Sequence, residues 1–312
     1  MSPPLLLLAT GDTMAHRASS VATGAELLAE SGYTGARVVV EDVLAEPSWD
    51  ISTATQFALA RRVRQALAAD GFAGVVVTHG LDTLAESAFL ADLTAGPAAA
   101  RGAIVFTGAT TTLAVADPDG PANLAAALTL AADPAARGAG ALVCLGGQVH
   151  AARWATLADP VGATPFTSGW HPPLGRVDGG AVRLDRRGPR PPRGPAEPES
   201  DVALLAVYPD MPPSLVTTVT DAGARGLVLA GTGAGNVPVE LFTQVFGAVS
   251  MDVPVVVASR VPTGSVGLVS GLGAIGAGGL SPEKARIGLM VALGDGGGVV
   301  AAQKWFAALN AL

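Results

Sequence analysis

A series of short apolar runs, each closing on glycine or threonine, constrains this chain more than any other feature. The runs are "PLLLLAT", "ARVVVEDV", "GFAGVVVTHG", "AIVFTGA" and "GALVCLGG". Each has the length of a strand. Each is apolar at consecutive rather than alternate positions, so both faces of the strand must be covered. Helical patterns stand between them. "TGAELLAES" opens with Thr23 as N-cap, and Glu26 follows at the spacing of a capping box. "STATQFALARRVRQALAAD" repeats its apolar residues at helical spacing, and "GPANLAAALTLAAD" is a third helix. Strand and helix in alternation predict a parallel sheet with helices on both faces. Ligands of such sheets bind outside the carboxyl ends of the strands. The loops "TGDT", "THGLDT" and "TGATTT" all follow predicted strands, so they are expected to converge on one cleft.

With 312 residues the chain is long enough for two domains. From Arg186 to Ser200 it reads "RRGPRPPRGPAEPES", where repeated proline keeps the backbone extended. This stretch is read as a linker over residues 186–200, between an N-terminal domain of residues 1–185 and a C-terminal α/β domain of residues 201–312. In the latter the alternation resumes with "DVALLAVYP", "GARGLVLAGTG" and "VPVVVASR". Only 4% of residues are aromatic against 49% hydrophobic, so the cores must be built from Ala, Val and Leu. The formal net charge is -7 and no long basic run exists, which argues against nucleic acid as a partner. The run in "PPLLLLATG" has no basic flank and is too short for a signal peptide, so it reads as a buried strand. No stretch reads as a transmembrane helix. The one cysteine, Cys144, sits in an apolar run and is expected to pack as a small hydrophobe. The chain is therefore expected to be cytoplasmic. The four histidines and one cysteine show no metal-ligand spacing, and neither metal nor cofactor is expected. "GTGAGN" has the glycines of a dinucleotide loop but not their spacing, and Asn236 and Pro238 interrupt it.

Several segments together resemble the bacterial-type L-asparaginases, amidohydrolases with a threonine nucleophile. "ATGDTMA" is similar to that family's first active-site segment, and "VVVTHGLDTLAESAFL" to its second. "DGPANLAAAL" and "GQVHAARWATL" follow in the same order, then "VYPDMPP", "GTGAGNVP", "SRVPTG" and "LSPEKARI". The resemblance runs in register over nearly the whole chain. It implies a two-domain asparaginase-like α/β fold: a larger N-terminal flavodoxin-like parallel-sheet domain and a smaller C-terminal α/β domain. It implies a homodimer or homotetramer with composite active sites and a small amino-acid-like substrate. The chemistry it implies is attack of a threonine hydroxyl on a side-chain amide, loss of ammonia, and hydrolysis of the acyl-enzyme.

Carried over residue by residue, Thr13 matches the nucleophile. Asp82 matches the aspartate that holds the substrate's amino group, with Thr83 following it. Ser48 matches a serine that contacts the substrate carboxylate. Gly11 and Gly80 keep the backbone close to the ligand. Asn236 matches a substrate contact supplied by a neighbouring subunit. The departures are equally specific. Leu81 stands where the family has a second threonine, and Leu157 where it has a lysine. The chain's lysines are Lys284 and Lys304, so the N-terminal domain holds none. The tyrosines, Tyr33 and Tyr208, lie outside the short segment "MAHRASSVAT" that corresponds to the family's lid. Losing the hydroxyl and the lysine together leaves an apolar wall rather than an unpaired buried charge. Trp49 follows Ser48 and either enlarges the apolar side of the pocket or is exposed.

Asp12 is a gain, in place of a glycine directly before Thr13. Its carboxylate either accepts a proton from a nearby hydroxyl or binds a cation, or else it turns away and caps the loop. His16 is a second candidate base or a solvent-facing side chain. His79 belongs to a turn in which a structural hydrogen bond is the default. Three readings follow from these residues. One is an amidohydrolase of altered specificity that uses Thr13, with Asp82 and Asp12. A second is a catalytically inactive homologue that binds a small ligand or serves as an oligomeric interaction protein. A third is a slow asparaginase.

Overall fold

The first apolar run becomes strand β1 (Leu5–Ala9), and all four of its leucines are fully buried. The other runs become β2 (Val38–Asp42), β3 (Gly74–Thr78), β4 (Ala103–Thr107) and β5 (Ala141–Leu145). The helical patterns become α1 (Gly24–Glu30), α2 (Thr53–Ala68) and α4 (Gly120–Ala132), and α3 (Leu81–Ala95) follows β3 directly. Both halves of the capping box at Thr23 and Glu26 are made. This computed structural model describes residues 3–188, 190–192, 194, 197–266, 271 and 273–311.

The chain divides into two compact units between Arg190 and Pro191, inside the Pro/Arg-rich stretch. In the first unit an eight-stranded sheet has the order β10-β9-β6-β5-β4-β3-β1-β2. The strands β1 to β5 are parallel. Three more extend the sheet antiparallel: β6 (Gln148–Ala151), β9 (Gly175–Asp178) and β10 (Ala181–Leu184). The sheet is thus mixed, with a parallel core. A separate two-stranded ribbon pairs β7 (Thr156–Leu157) with β8 (Phe166–Thr167).

The two faces of the sheet alternate along each strand, as pleating requires. Leu5, Leu7, Val76, Val105 and Leu142 pack with Leu27 of α1 and with Leu124 and Leu128 of α4. The intervening Leu6, Leu8, Val75, Val77, Ile104 and Phe106 are equally buried, toward α2 and α3. Cys144 is buried in β5, and burial pushes its thiol up to about 12, so it stays protonated and unreactive.

The order of the parallel strands is 2-1-3-4-5, the flavodoxin-like winding. The chain leaves β1 for β2 on one side and returns to β3 on the other. The carboxyl ends of β1 and β3 therefore flank the point where a doubly wound sheet opens a crevice.

The second unit carries four parallel strands in sequence order: β11 (Val202–Ala206), β12 (Gly226–Gly231), β13 (Val255–Ser259) and β14 (Ile275–Gly276). The helices α5 (Ser214–Asp221), α6 (Phe242–Ser250), α7 (Pro282–Leu293) and α8 (Val299–Asn310) complete it. Its core is aliphatic, with Leu227, Leu229, Val255 and Val257 against Val216, Leu241 and Val245. Among the described residues, no helix is long and apolar enough to cross a membrane.

Candidate active site

The loops after β1, β2 and β3 meet at the crevice, and short side chains tie them together. Thr10 closes β1. Its N–H donates to Thr78 Oγ1 at 3.2 Å and its hydroxyl to the Thr78 carbonyl at 2.6 Å, which clamps the ends of β1 and β3. At Gly11 φ is 78°, and a Cβ would lie 2.8 Å from the Cα of Ala45, so only glycine fits.

Asp12 follows with φ 65° and ψ -163°, a region populated essentially by glycine. It is only 2% exposed. Its Oδ1 accepts from Thr13 N–H at 2.6 Å and from Thr13 Oγ1 at 3.1 Å, while Oδ2 accepts from Ser48 N–H at 2.6 Å. Capping of the loop, one alternative the sequence left open, is present. One carboxylate caps the 3-10 turn Thr13–Ala15 and also meets the threonine hydroxyl.

Ser48, buried in the loop after β2, is the second junction. Its hydroxyl donates to Asp82 Oδ2 at 3.3 Å, and its carbonyl accepts from Thr83 Oγ1 at 2.8 Å. Thr83 departs from helical geometry within the first turn of α3 (φ -124°, ψ 16°). Gly80 lets the loops close, because a Cβ there would lie 1.8 Å from Asp12 Oδ2 and 2.3 Å from Ser48 Oγ. Asp12, Thr13, Ser48, Gly80, Asp82 and Thr83 therefore form one cluster. Thr13 is half-buried and Asp82 exposed, so both are open to a ligand.

The remaining candidates lie around or beyond this cluster. Leu81 is buried, and its side chain covers the backbone of Gly108 after β4. Leu157 is half-buried on β7, the strand beside α3, and pairs with Phe166. Trp49 is 68% exposed. Asn236 lies in the second unit, exposed on a tight loop closed by backbone bonds with Thr232. His16 is half-buried at the base of a hairpin, bridged to Val21, and its carbonyl accepts from Leu113 N–H. The short segment after Thr13 is pinned at both of these points and by an ion pair between Arg17 and Glu30.

His79 makes the expected structural bond. Its Nδ1 donates to the Gly80 carbonyl at 2.8 Å, which leaves Nε2 as the bare nitrogen, buried and without a protein partner among the described residues. Burial holds its pKa below the usual histidine value despite Asp12 and Asp82 nearby, so the ring is neutral near pH 7.

Asp119 plays a part that the sequence reading missed. It accepts from the N–H and hydroxyl of both Thr110 and Thr111, at 2.6 to 2.9 Å, and from Asn123 Nδ2 at 3.2 Å. Burial acts to raise its pKa, but the bonds from Thr110 and Thr111 outweigh it and hold the carboxyl below its ordinary range. The signal was present as "TGATTT" ahead of an aspartate, the donor-rich loop an Asx cap requires. Among the described residues, no group of His, Cys, Asp and Glu is arranged to hold a metal ion.

Comparison with known proteins finds similarity over nearly the full length of the chain. A model of the asparaginase N-terminal domain matches residues 4–190, and one of the glutaminase/asparaginase C-terminal domain matches residues 201–306. A probable L-asparaginase of Deinococcus radiodurans is 34% identical, with 94% of this chain and 94% of that protein aligned. A probable periplasmic L-asparaginase of Haemophilus influenzae is 29% identical, over 93% of this chain and 88% of that protein. The crystal structure of a probable cytoplasmic L-asparaginase from Campylobacter jejuni has a TM-score of 0.88 at 25% identity, covering 98% of this chain and 100% of that one.

Proposed function

The chain belongs to the asparaginase family, a group of hydrolases acting on amide C–N bonds, and on that premise we propose that Thr13 is the nucleophile of an altered amidohydrolase. The substrate is a small aspartate-like molecule, opened at its side-chain amide (or an imide or ester in that place) through an acyl-enzyme. The observation that carries this reading is the 3.1 Å contact between Thr13 Oγ1 and Asp12 Oδ1.

Asp12 takes the hydroxyl proton as Thr13 Oγ1 attacks the amide carbon. The tetrahedral intermediate collapses when Asp12 returns that proton to the leaving nitrogen, and ammonia departs. Asp12 then draws a proton from the water that attacks the acyl-threonine and returns it to Thr13 Oγ1 as the ester bond breaks, which releases the acid and restores the hydroxyl. Asp82, exposed at the first turn of α3, holds the substrate's ammonium group. Ser48 orients Asp82 through its hydroxyl. Leu81 and Leu157 replace the threonine and lysine of the family pattern, and Asp12 supplies the proton acceptor in their stead. The protein works as a cytoplasmic homo-oligomer, with the exposed Asn236 of one copy offered to the site of another. The names of the relatives place one in the periplasm and one in the cytoplasm.

The test is ammonia release from asparagine, glutamine and substituted amides. Thr13→Ala should lower it by at least about 100-fold, the effect of removing one member of a coupled catalytic unit. Activity that survives this substitution overturns the assignment. The absence of lysine from the first unit favours a second reading, a ligand-binding homologue without turnover. In that case aspartate raises the melting temperature, and no amide gives Thr13-dependent ammonia.

A further inference from the structure

Asp12 fills a small anion receptor with the chain's own carboxylate. Thr13 N–H, Thr13 Oγ1 and Ser48 N–H all donate to it, the two backbone donors at 2.6 Å each. The Gly80 backbone closes the receptor from behind, with no room for even a Cβ. The chain holds Asp12 there in a glycine-type conformation and at 2% exposure, so the placement is enforced by the loops around it. A carboxylate arriving on a ligand would find these donors already used. It would also face a second negative group, Asp82, exposed and hydrogen-bonded to Ser48 Oγ. Among the described residues, every hydrogen-bond partner of the two carboxylates is a backbone N–H or a hydroxyl, and neither pairs with Lys or Arg.

Two carboxylates without a neighbouring cation attract an amine and repel an acid. A site gains specificity from such a repulsive element as readily as from a new contact. Resting on the amidohydrolase reading of Thr13, we infer that the substrate carries an amine and a side-chain amide but no free carboxylate. The class is asparagine blocked at its α-carboxyl, as in an amino-terminal asparagine residue. Asp12 stands where the missing carboxylate would bind, and Asp82 receives the ammonium group.

A matched pair of ligands tests this: asparagine, and asparagine α-N-methylamide. Both contain the same reactive side-chain amide, and only the charge at the α-carboxyl differs. Ammonia release by the unaltered protein should favour the methylamide by at least about tenfold in kcat/KM, which corresponds to about 1.4 kcal/mol. Calorimetry on the Thr13→Ala protein should show the same preference in Kd, independent of turnover. Adding Asp12→Gly to that protein opens the receptor without backbone strain, and asparagine should then bind at least about tenfold more tightly.

Equal or tighter binding of asparagine by Thr13→Ala overturns the inference, as does a preference unchanged by Asp12→Gly. If the methylamide binds selectively but no Thr13-dependent ammonia appears, the amidohydrolase reading falls and the charge-selective site stands. If asparagine is hydrolysed through Thr13 as well as the methylamide is, the inference falls and the hydrolase stands. Binding of neither ligand at millimolar concentration overturns both.

Discussion

Asp119 and Asp12 are each enclosed by donors from their own loops, with different consequences. Asp119 orders the loop after β4 through hydrogen bonds from Thr110 and Thr111. Its folded pKa lies below the ordinary 3.8, so its contribution to stability is present above that value and is lost as pH falls through the folded one. Asp119→Ala should cost about 1–3 kcal/mol at neutral pH, the range for leaving part-buried donors unpaired. Urea titrations should show the difference between the two proteins shrinking once pH drops below about 4. A constant difference down to pH 2 would mean that the charge of Asp119 is irrelevant. Asp12 instead sits in a backbone region that costs a non-glycine residue about 1–3 kcal/mol. Hydrogen bonds to an ionised acceptor, worth about 1.5–3 kcal/mol each, are of the size needed to offset this. Asp12 was visible in the sequence as an unusual letter before a threonine. Ser48 was also singled out, but its bond to Asp12 was not foreseen, because the contact joins residues from two different loops and no local pattern encodes it.

β1, β3, β4 and β5 were legible because burial on both faces writes a continuous apolar run, β2 because its valines form such a run even at the sheet's edge, and the capped helices because their caps are local. The antiparallel strands and the two-stranded ribbon were not. β9 is "GRVD" and β10 is "AVRL", four residues each with an arginine inside, and β7 and β8 are two residues each. Such short elements take their pairing from neighbours rather than from their own composition. The turn from β3 into α3 concentrates the site's dependence on element geometry. His79, Gly80, Leu81, Asp82 and Thr83 are consecutive, and each has a different task. Gly80→Ala would drive a methyl to within 1.8 Å of Asp12 Oδ2. The Asp12 carboxylate must then move away from Thr13, and small misplacements of reacting groups lower rates by about 100-fold. Ammonia release should fall by that order, while overpacking costs stability only about 1–3 kcal/mol. Full activity in a folded Gly80→Ala protein would show that Asp12 is dispensable. Leu81, next in line, is buried, and its contact with Gly108 depends on how β4 ends, which the sequence does not spell out.

At the scale of the whole molecule, the distribution of lysine is the sharpest constraint on chemistry. The first unit has none, and the second has Lys284 and Lys304. Lys284 is 2% exposed near the start of α7, whereas Lys304 stands exposed on α8. An enzyme that relied on a lysine to activate its nucleophile would be sensitive to amine-directed reagents. A site that uses Asp12 would not be. Acetylation of the folded protein should therefore label Lys304, spare Lys284, and leave the rate of ammonia release unchanged. Mass spectrometry identifies the labelled residue, and the ammonia assay is run on the same sample. Inactivation that persists in a Lys304→Arg protein would place an amine in the chemistry and remove Asp12 from its role as proton acceptor. Inactivation abolished by Lys304→Arg would instead assign the α8 surface a part in activity. Unchanged turnover after complete labelling of Lys304 removes that amine from the reaction, the outcome expected of a site built from the carboxylates and hydroxyls of the β1, β2 and β3 loops.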